Sequence, residues 1–239
     1  MGNDINKIIF AIYDAVKTKN VKNFSGAINN LIDKSSATPK MGLIYGAPGL
    51  GKSHTAIWWA TKNNALYVRA QHKMNTRWLL QEILAEIGEE IHGQISSLSD
   101  QCKLRLKLKP QVLIVDEIDY LLDRSHTIEA LRDIHDTTGV PVVLIGMQNS
   151  KNKLGKYQHL YDRLSEIVEF NPFSKEDVDI IVDELSEVKI TEEAKQIIFE
   201  NTNRFRQLIK DISLLENLAK TNGLNKIDVK QVKGLKIGQ

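Results

Sequence analysis

Gly46-Ala47-Pro48-Gly49-Leu50-Gly51-Lys52-Ser53 satisfies the phosphate-loop pattern G-x-x-x-x-G-K-[ST] at every fixed position. The residues before it, Met41-Gly42-Leu43-Ile44-Tyr45, have the character of a buried strand, and a helical stretch begins near Lys52. Strand, loop and helix in that order form the context in which the pattern carries its chemistry. Its glycines let backbone N–H groups converge on phosphate oxygens without Cβ clashes. Lys52 is expected to reach the β- and γ-phosphates of a nucleoside triphosphate, and the Ser53 hydroxyl to ligate Mg²⁺. The start of the helix adds partial positive charge. Gly46, Ala47, Pro48, Gly49, Leu50, Gly51, Lys52, Ser53 and the adjacent His54 are therefore the expected nucleotide-binding residues.

The rest of the chain is modest in composition. Its 239 residues, 42% of them hydrophobic, suffice for one sizeable core with a small appended subdomain. Lys and Arg number 32 against 30 Asp and Glu, a net charge of +2, so any basic surface must be local. The single cysteine, Cys102, excludes an intrachain disulfide and a cysteine-based zinc site and is read as an ordinary residue of a polar segment. The short apolar stretch after Lys7, interrupted by Asp14, is neither a signal peptide nor a membrane span. A cytoplasmic protein is expected.

Ile5, Ile8, Ile9, Ile12 and Val16 recur at helical spacing, and a second helix is expected over 25–33. Strands and helices then alternate: a strand over 66–70, helices over 76–91 and 99–108, a strand over 112–115, a helix over 128–136 and a strand over 140–145. Continuous apolar strands separated by helices predict an α/β fold with a parallel sheet covered on both faces. Asn171-Pro172-Phe173 marks a boundary, after which the pattern is helical over 174–187, 191–200 and 206–221, with a short helix after Asp228. Ser174 and Thr191 are expected N-caps. Residues 1–172 are thus read as a nucleotide-binding core and 173–239 as a small all-α lid.

Val112-Leu113-Ile114-Val115-Asp116-Glu117 is a second constellation. An apolar strand ending in Asp-Glu sets Asp116 at the carboxyl edge of the sheet, where ligands of open α/β sheets bind. Asp116 is expected in the Mg²⁺ shell and Glu117 as the group that polarises the attacking water. The span between loop and Asp-Glu strand leaves room for an inserted strand, so the two strands are not expected to be neighbours. A third edge position is Gln148-Asn149, after Val142-Val143-Leu144-Ile145; either amide is suited to sense the γ-phosphate or to cap the next turn, and Asn149 is the candidate carried forward. Arg163, just before the last expected core strand, either serves a neighbouring subunit's γ-phosphate or pairs with Asp162 or Glu166. In Asn203-Arg204-Phe205-Arg206, Arg206 is the candidate lid cation, Arg204 the substitute, and plain surface charge the alternative.

These motifs occur in the order seen in AAA+ ATPases, which the chain resembles from about residue 41 to residue 208. More narrowly, Met41-Gly42-Leu43-Ile44-Tyr45-Gly46, Tyr67-Val68-Arg69-Ala70, Met74-Asn75-Thr76-Arg77-Trp78-Leu79-Leu80, Leu144-Ile145-Gly146-Met147 and Tyr161-Asp162-Arg163-Leu164-Ser165-Glu166 resemble the transposition ATPases of the phage Mu B type. One departure stands out: only residues 1–45 precede the loop, too few for the separate helix-turn-helix domain of the Mu protein. The resemblance implies a bacterial or phage-encoded protein that binds ATP and Mg²⁺. It also implies assembly into rings or filaments on double-stranded DNA, ATP hydrolysis and stimulation of a transposase.

In that picture ATP sits between subunits, with Arg163 supplied by the neighbour, and DNA is held through its phosphates. Candidate DNA contacts are Lys73 and Arg77, the Lys103-Arg105-Lys107-Lys109 series, and Lys151, Lys153 and Lys156, with a diffuse basic tail at Lys226, Lys230, Lys233 and Lys236. For each cluster a solvated surface is the competing reading. The alternation of Leu104, Leu106 and Leu108 with cations suits a half-buried strand or the end of a surface helix. Trp58 and Trp59 are expected in the core. Two other functions fit the motifs: a replication initiator or helicase loader, and a nucleotide-gated regulatory module with little turnover.

Overall fold

A computed structural model describes residues 17–35, 37–202 and 204–235. The helix expected from Ile5 to Val16, together with Ser36, Asn203 and Lys236, lies outside the described residues. The chain divides into two compact units. One comprises Asn23–Ala47 and Lys52–Phe170; the other comprises the described residues up to Lys22, Pro48–Gly51 and the segment from Asn171 onward.

The larger unit is built on a parallel sheet of five strands: β1 (Met41–Gly46), β2 (Leu66–Arg69), β3 (Leu113–Asp116), β4 (Val142–Gly146) and β5 (Leu164–Phe170). Their order is β2-β3-β4-β1-β5. Every residue of β1, β3 and β4 is buried, as continuous apolar runs covered on both faces must be. The edge strands β2 and β5 carry exposed positions. As expected, β4 separates the loop-bearing β1 from the Asp-Glu strand β3. Beside β1, helix α1 (Lys19–Asp33) packs Leu31 where Gly42 has no side chain; a Cβ there would lie 2.9 Å from Leu31 Cδ1.

Helices fill both faces, with bounds set by their caps. Helix α2 (Lys52–Asn63) buries Trp58 and Trp59, as expected. Helix α3 (Thr76–Ile87) ends four residues before the expected 91, because Gly88 adopts a left-handed conformation (φ 87°) and its N–H returns to Ala85 and Leu84 carbonyls. Helix α4 (Ile95–Leu108) begins before the expected 99 and settles the leucine–cation alternation. It is a helix whose buried face is Leu98, Cys102 and Leu106, leaving Leu104 and Leu108 56% and 69% exposed. Helix α5 (Ser125–Thr138) and the short α6 (Ser150–Leu154) and α7 (Gln158–Tyr161) complete the unit.

Cys102, expected as an ordinary residue of a polar segment, turns its side chain into the core from that segment. It is fully buried, its thiol donating to the Leu80 carbonyl at 3.6 Å, and burial pushes its pKa up to about 12. The thiolate is the reactive form. We therefore predict that an alkylating reagent at neutral pH leaves Cys102 unmodified in the folded protein and labels it completely in denaturant, read by intact mass. Rapid labelling without denaturant would show that α4 opens locally.

The smaller unit contains α8 (Lys175–Leu185), α9 (Glu192–Asn201), α10 (Phe205–Asn222) and α11 (Val229–Gly234). The two expected caps form, the Ser174 hydroxyl accepting from the Asp177 N–H in a capping box and Thr191 capping α9, and Asp228 caps α11 in a second capping box. The helical pattern is interrupted by two short parallel strands, β6 (Lys189–Ile190) and β7 (Lys226–Ile227), too short to leave a periodic signal. Asp211, fully buried, accepts from the Thr202 hydroxyl at 2.6 Å and Gln207 at 2.9 Å, so its carboxylate is satisfied inside the helical core.

Candidate phosphate site

At the end of β1 the chain must pass β5 closely. Gly46 has φ 155°, and a Cβ there would lie 2.6 Å from the Phe170 carbonyl oxygen, so no side chain fits. The loop turns through two more left-handed glycines, Gly49 and Gly51, before α2 starts at Lys52. Lys52 is 9% exposed and curls back on its own loop, donating to the Gly46 carbonyl at 2.7 Å and the Ala47 carbonyl at 2.8 Å. Burial lowers its pKa, and the charges of Asp116 and Asp119 oppose that shift. A buried cation bonded only to carbonyls, at a helix start, is a donor set that fits an anion. At the loop tip the Phe205 N–H donates to the Gly49 carbonyl at 2.9 Å, and the alkyl stem of Arg204 packs 3.5 Å from the empty side-chain position of Gly49.

β3 delivers Asp116 to the same carboxyl edge. Its register with β2 pairs Tyr67 with Ile114 and Arg69 with Asp116, so Tyr67 and Arg69, two residues apart, share one sheet face beside the carboxylates. The Tyr67 hydroxyl donates to Asp116 Oδ2 at 2.6 Å, and the Glu117 N–H donates to Asp116 Oδ1 at 2.7 Å. Burial and the Asp116 charge raise the Tyr67 pKa, keeping it a donor. Glu117 sits at φ 54°, ψ 40°, a left-handed conformation rare outside glycine, which costs about 1–3 kcal/mol. Its carboxylate is ion-paired with Arg69.

β4 lies between β1 and β3, so the turn after Gly146 emerges between loop and carboxylates. There Gln148 donates to Glu169 Oε1 at 2.6 Å, while Asn149 Oδ1 accepts from Asn152 at 3.2 Å. Phosphate loop, Asp116 and Glu117, and Gln148 and Asn149 therefore follow three adjacent strands at one edge. Arg163 does not join them. It precedes Leu164, which pairs with Met41 at the opposite end of β1, roughly 16 Å away at ~3.3 Å per residue. It pairs with Asp136 of α5 at 3.2 and 3.3 Å, rather than with Asp162 or Glu166. Arg206 is exposed in the first turn of α10.

The basic candidates are dispersed. Lys73 and Arg77 are exposed beyond the carboxyl end of β2. Lys151 lies 5.8 Å over the Tyr45 ring and Lys153 3.5 Å from Asp119. The Lys103 series runs to the end of α4, near the opposite edge, and Arg105 is paired with Glu89 at 2.9 Å. Among the described residues no helix is long and apolar enough to cross a membrane, and no group of three or more His, Cys, Asp or Glu side chains is assembled to hold a metal. The hard oxygen donors of Ser53 and Asp116 still suit Mg²⁺, which takes few protein ligands beside substrate phosphates.

Tyr67, Arg69 and Asp119 have no assigned role in the sequence reading. Their partners are 28 to 49 residues away, and only the sheet order brings them together.

Fold and loop together define a phosphate-loop α/β protein. The AAA-domain family profile matches residues 35–154, half of the chain, and the protein belongs to that family. No curated protein sequence matches it. Among solved structures, the ORC2 protein of Aeropyrum pernix, determined as ADPNP–ADP complexes, is similar at 14% identity and a TM-score of 0.70, with 90% of this chain covering 66% of that one. The ORC1 protein of the same organism, in complex with DNA, gives 14% identity, coverage of 95% and 68%, and a TM-score of 0.63. Domain III of the Thermotoga maritima replication initiation protein DnaA gives 17%, coverage of 93% of each chain, and 0.57. At such identities the likeness describes the fold, and this chain spans about two thirds of the ORC proteins.

Proposed function

We propose that the protein is an ATPase that assembles on double-stranded DNA and presents that DNA to a transposase. The supporting observation is the convergence of Lys52, Asp116, Glu117 and the 148–149 turn on one sheet edge, with Arg163 at the other. In this reading Lys52 leaves the loop carbonyls for the β- and γ-phosphates. Ser53 and Asp116 hold Mg²⁺, which neutralises phosphate charge when bound. Glu117 accepts a proton from water as that oxygen attacks the γ-phosphorus and the bond to the bridging oxygen of ADP breaks. Asn149 or Gln148 orients the γ-phosphate. Arg163, too far to serve its own loop, serves that of a neighbouring copy. Residues 173–239 form the lid, with Arg206 its candidate cation, though the packing of Arg204 on the loop tip favours Arg204.

DNA is held without base readout by Lys73 and Arg77, with Lys103, Arg105, Lys151 and Lys153 as further candidates. The transposase rests on the sequence segments similar to the Mu B-type ATPases. A replication initiator or helicase loader is the second reading, favoured by likeness to the ORC and DnaA folds. Negative-stain imaging with duplex DNA and a slowly hydrolysed ATP analogue should show rings or filaments only when both are present, and Arg163→Ala should still assemble yet lose most ATP turnover. Monomers under every condition would sink the assembly reading. Stimulation of a helicase rather than a transposase encoded nearby would select the second.

A further inference from the structure

Just after Glu117 the chain makes a single 3₁₀ turn, Ile118–Tyr120, which carries a third carboxylate. Asp119 Oδ2 accepts two hydrogen bonds, from the Met147 N–H at 2.7 Å and from the Ser150 hydroxyl at 2.6 Å. Its other oxygen lies 3.5 Å from Lys153 Nζ. These bonds join the end of β3 to the end of β4. Bonds to an ionised acceptor are shorter and stronger than neutral ones, so the junction is stiff. Ser150 is fully buried, and its side chain occupies the space above Gly146; a Cβ on Gly146 would meet Ser150 Oγ at 2.1 Å and Ile118 Cγ2 at 2.9 Å. Gly146, Ser150 and Asp119 therefore form one clasp. What it encloses is the turn carrying Gln148 and Asn149, and what it hangs from is the turn immediately after Glu117.

We propose that Asp119 is a positioning residue for ATP hydrolysis, fixing the Gln148–Asn149 turn at a set distance from Asp116 and Glu117. The inference rests on the ATPase reading above. Met147 N–H stands just past the last residue of β4, and β3–β4 pairing ends at Val115 and Leu144, so Asp119 is what ties the turn to the β3 side; toward β5, Gln148 is tied separately to Glu169. The carboxylate also stands close enough to Lys52 to favour its charged form. Asp119 touches neither the attacking water nor the phosphates; it acts through the amides it anchors.

The test compares Asp119→Ala, Asp119→Asn and wild type in steady-state phosphate release and in equilibrium binding of a fluorescent ATP analogue. Both are measured at a temperature where circular dichroism shows every variant folded. Displacement of a reacting group by an ångström costs on the order of 10²-fold, and Asp119→Ala should lose about that in kcat. Analogue affinity should change by less than about threefold, because the lost interaction matters only in the transition state. Asp119→Asn, whose amide oxygen accepts the same two bonds, should recover most of the rate. In a background of Gln148→Ala with Asn149→Ala, adding Asp119→Ala should cost less than about threefold, since residues acting as one unit are non-additive. A full loss in that background, or an Asp119→Ala variant with unchanged kcat, would overturn the positioning role while leaving the ATPase reading intact. A folded wild-type protein that binds the analogue on DNA but never turns over ATP would overturn the ATPase reading and this inference with it.

Discussion

Glu117→Gln is expected to reduce ATP turnover by about 10²- to 10⁴-fold, the range of a lost general base, with nucleotide affinity retained. The substitution is nearly isosteric, so the left-handed backbone at this residue and the bond from its N–H to Asp116 persist. What disappears is the capacity to take a proton from water. The Arg69 ion pair also loses its charge. With the Arg69 side chain 62% exposed, that pair is worth only about 0–1 kcal/mol, so Glu117 is readily released toward an attacking water. The same weakness predicts little change in folding stability. On DNA the variant should form longer-lived assemblies, because occupancy persists while hydrolysis stops. Phosphate release and analogue binding measured on one preparation separate the two effects. Turnover surviving the substitution would remove Glu117 from the base role.

Why was this much readable in advance? The phosphate loop and the Asp-Glu strand are local signals: a fixed spacing of glycines beside an apolar run, and an apolar run ending in carboxylates. The residues between β1 and β3 accommodate β2 and three helices, which chain length makes legible, but the strand that separates the two in the sheet is β4, from further along the chain. Caps were legible for the same reason, as Ser174 and Thr191 act on residues three positions away. The misplaced bounds have local causes too. Gly88 stops α3 through a left-handed conformation that periodicity does not register. Cys102 stands among Asp100, Gln101, Lys103 and Arg105 in sequence, although helical spacing aligns it with Leu98 and Leu106 on the buried face.

The unread part of the site is non-local. Tyr67 and Arg69 acquire roles only when β2 is placed beside β3 in register, and Asp119 only when β4 is placed beside β3. Each makes its contact across strands, not along the chain. Arg163 is the converse case: its motif is local, but sheet direction determines that its own loop lies beyond reach. Dispersal of the basic residues is likewise a property of topology, since alternate ends of strands and helices carry them to different edges.

Lys52→Met should abolish most nucleotide binding while leaving the unliganded protein about as stable as before. Two opposed terms explain the second half. The substitution removes a cation whose burial is costly, but it strips the Gly46 and Ala47 carbonyls of a charge-assisted donor. Binding has no such compensation, because triphosphate charge needs the ammonium. A loss of about 100-fold in affinity corresponds to about 2.7 kcal/mol. At ligand a thousandfold above the wild-type Kd, nucleotide stabilises the folded state by about 4.1 kcal/mol, and the variant should keep only about 1.4. A thermal-shift titration resolves that difference. The pH dependence supplies an independent check. The folded pKa of Lys52 lies below its ordinary 10.5, so between the two values the unfolded chain binds more protons than the folded one. Its contribution to stability therefore rises with pH across that window, whereas affinity for the triphosphate falls as the ammonium is lost. Opposite slopes for stability and affinity in wild type, both reduced in Lys52→Met, would tie the binding charge to this residue. Parallel slopes would point to another cation.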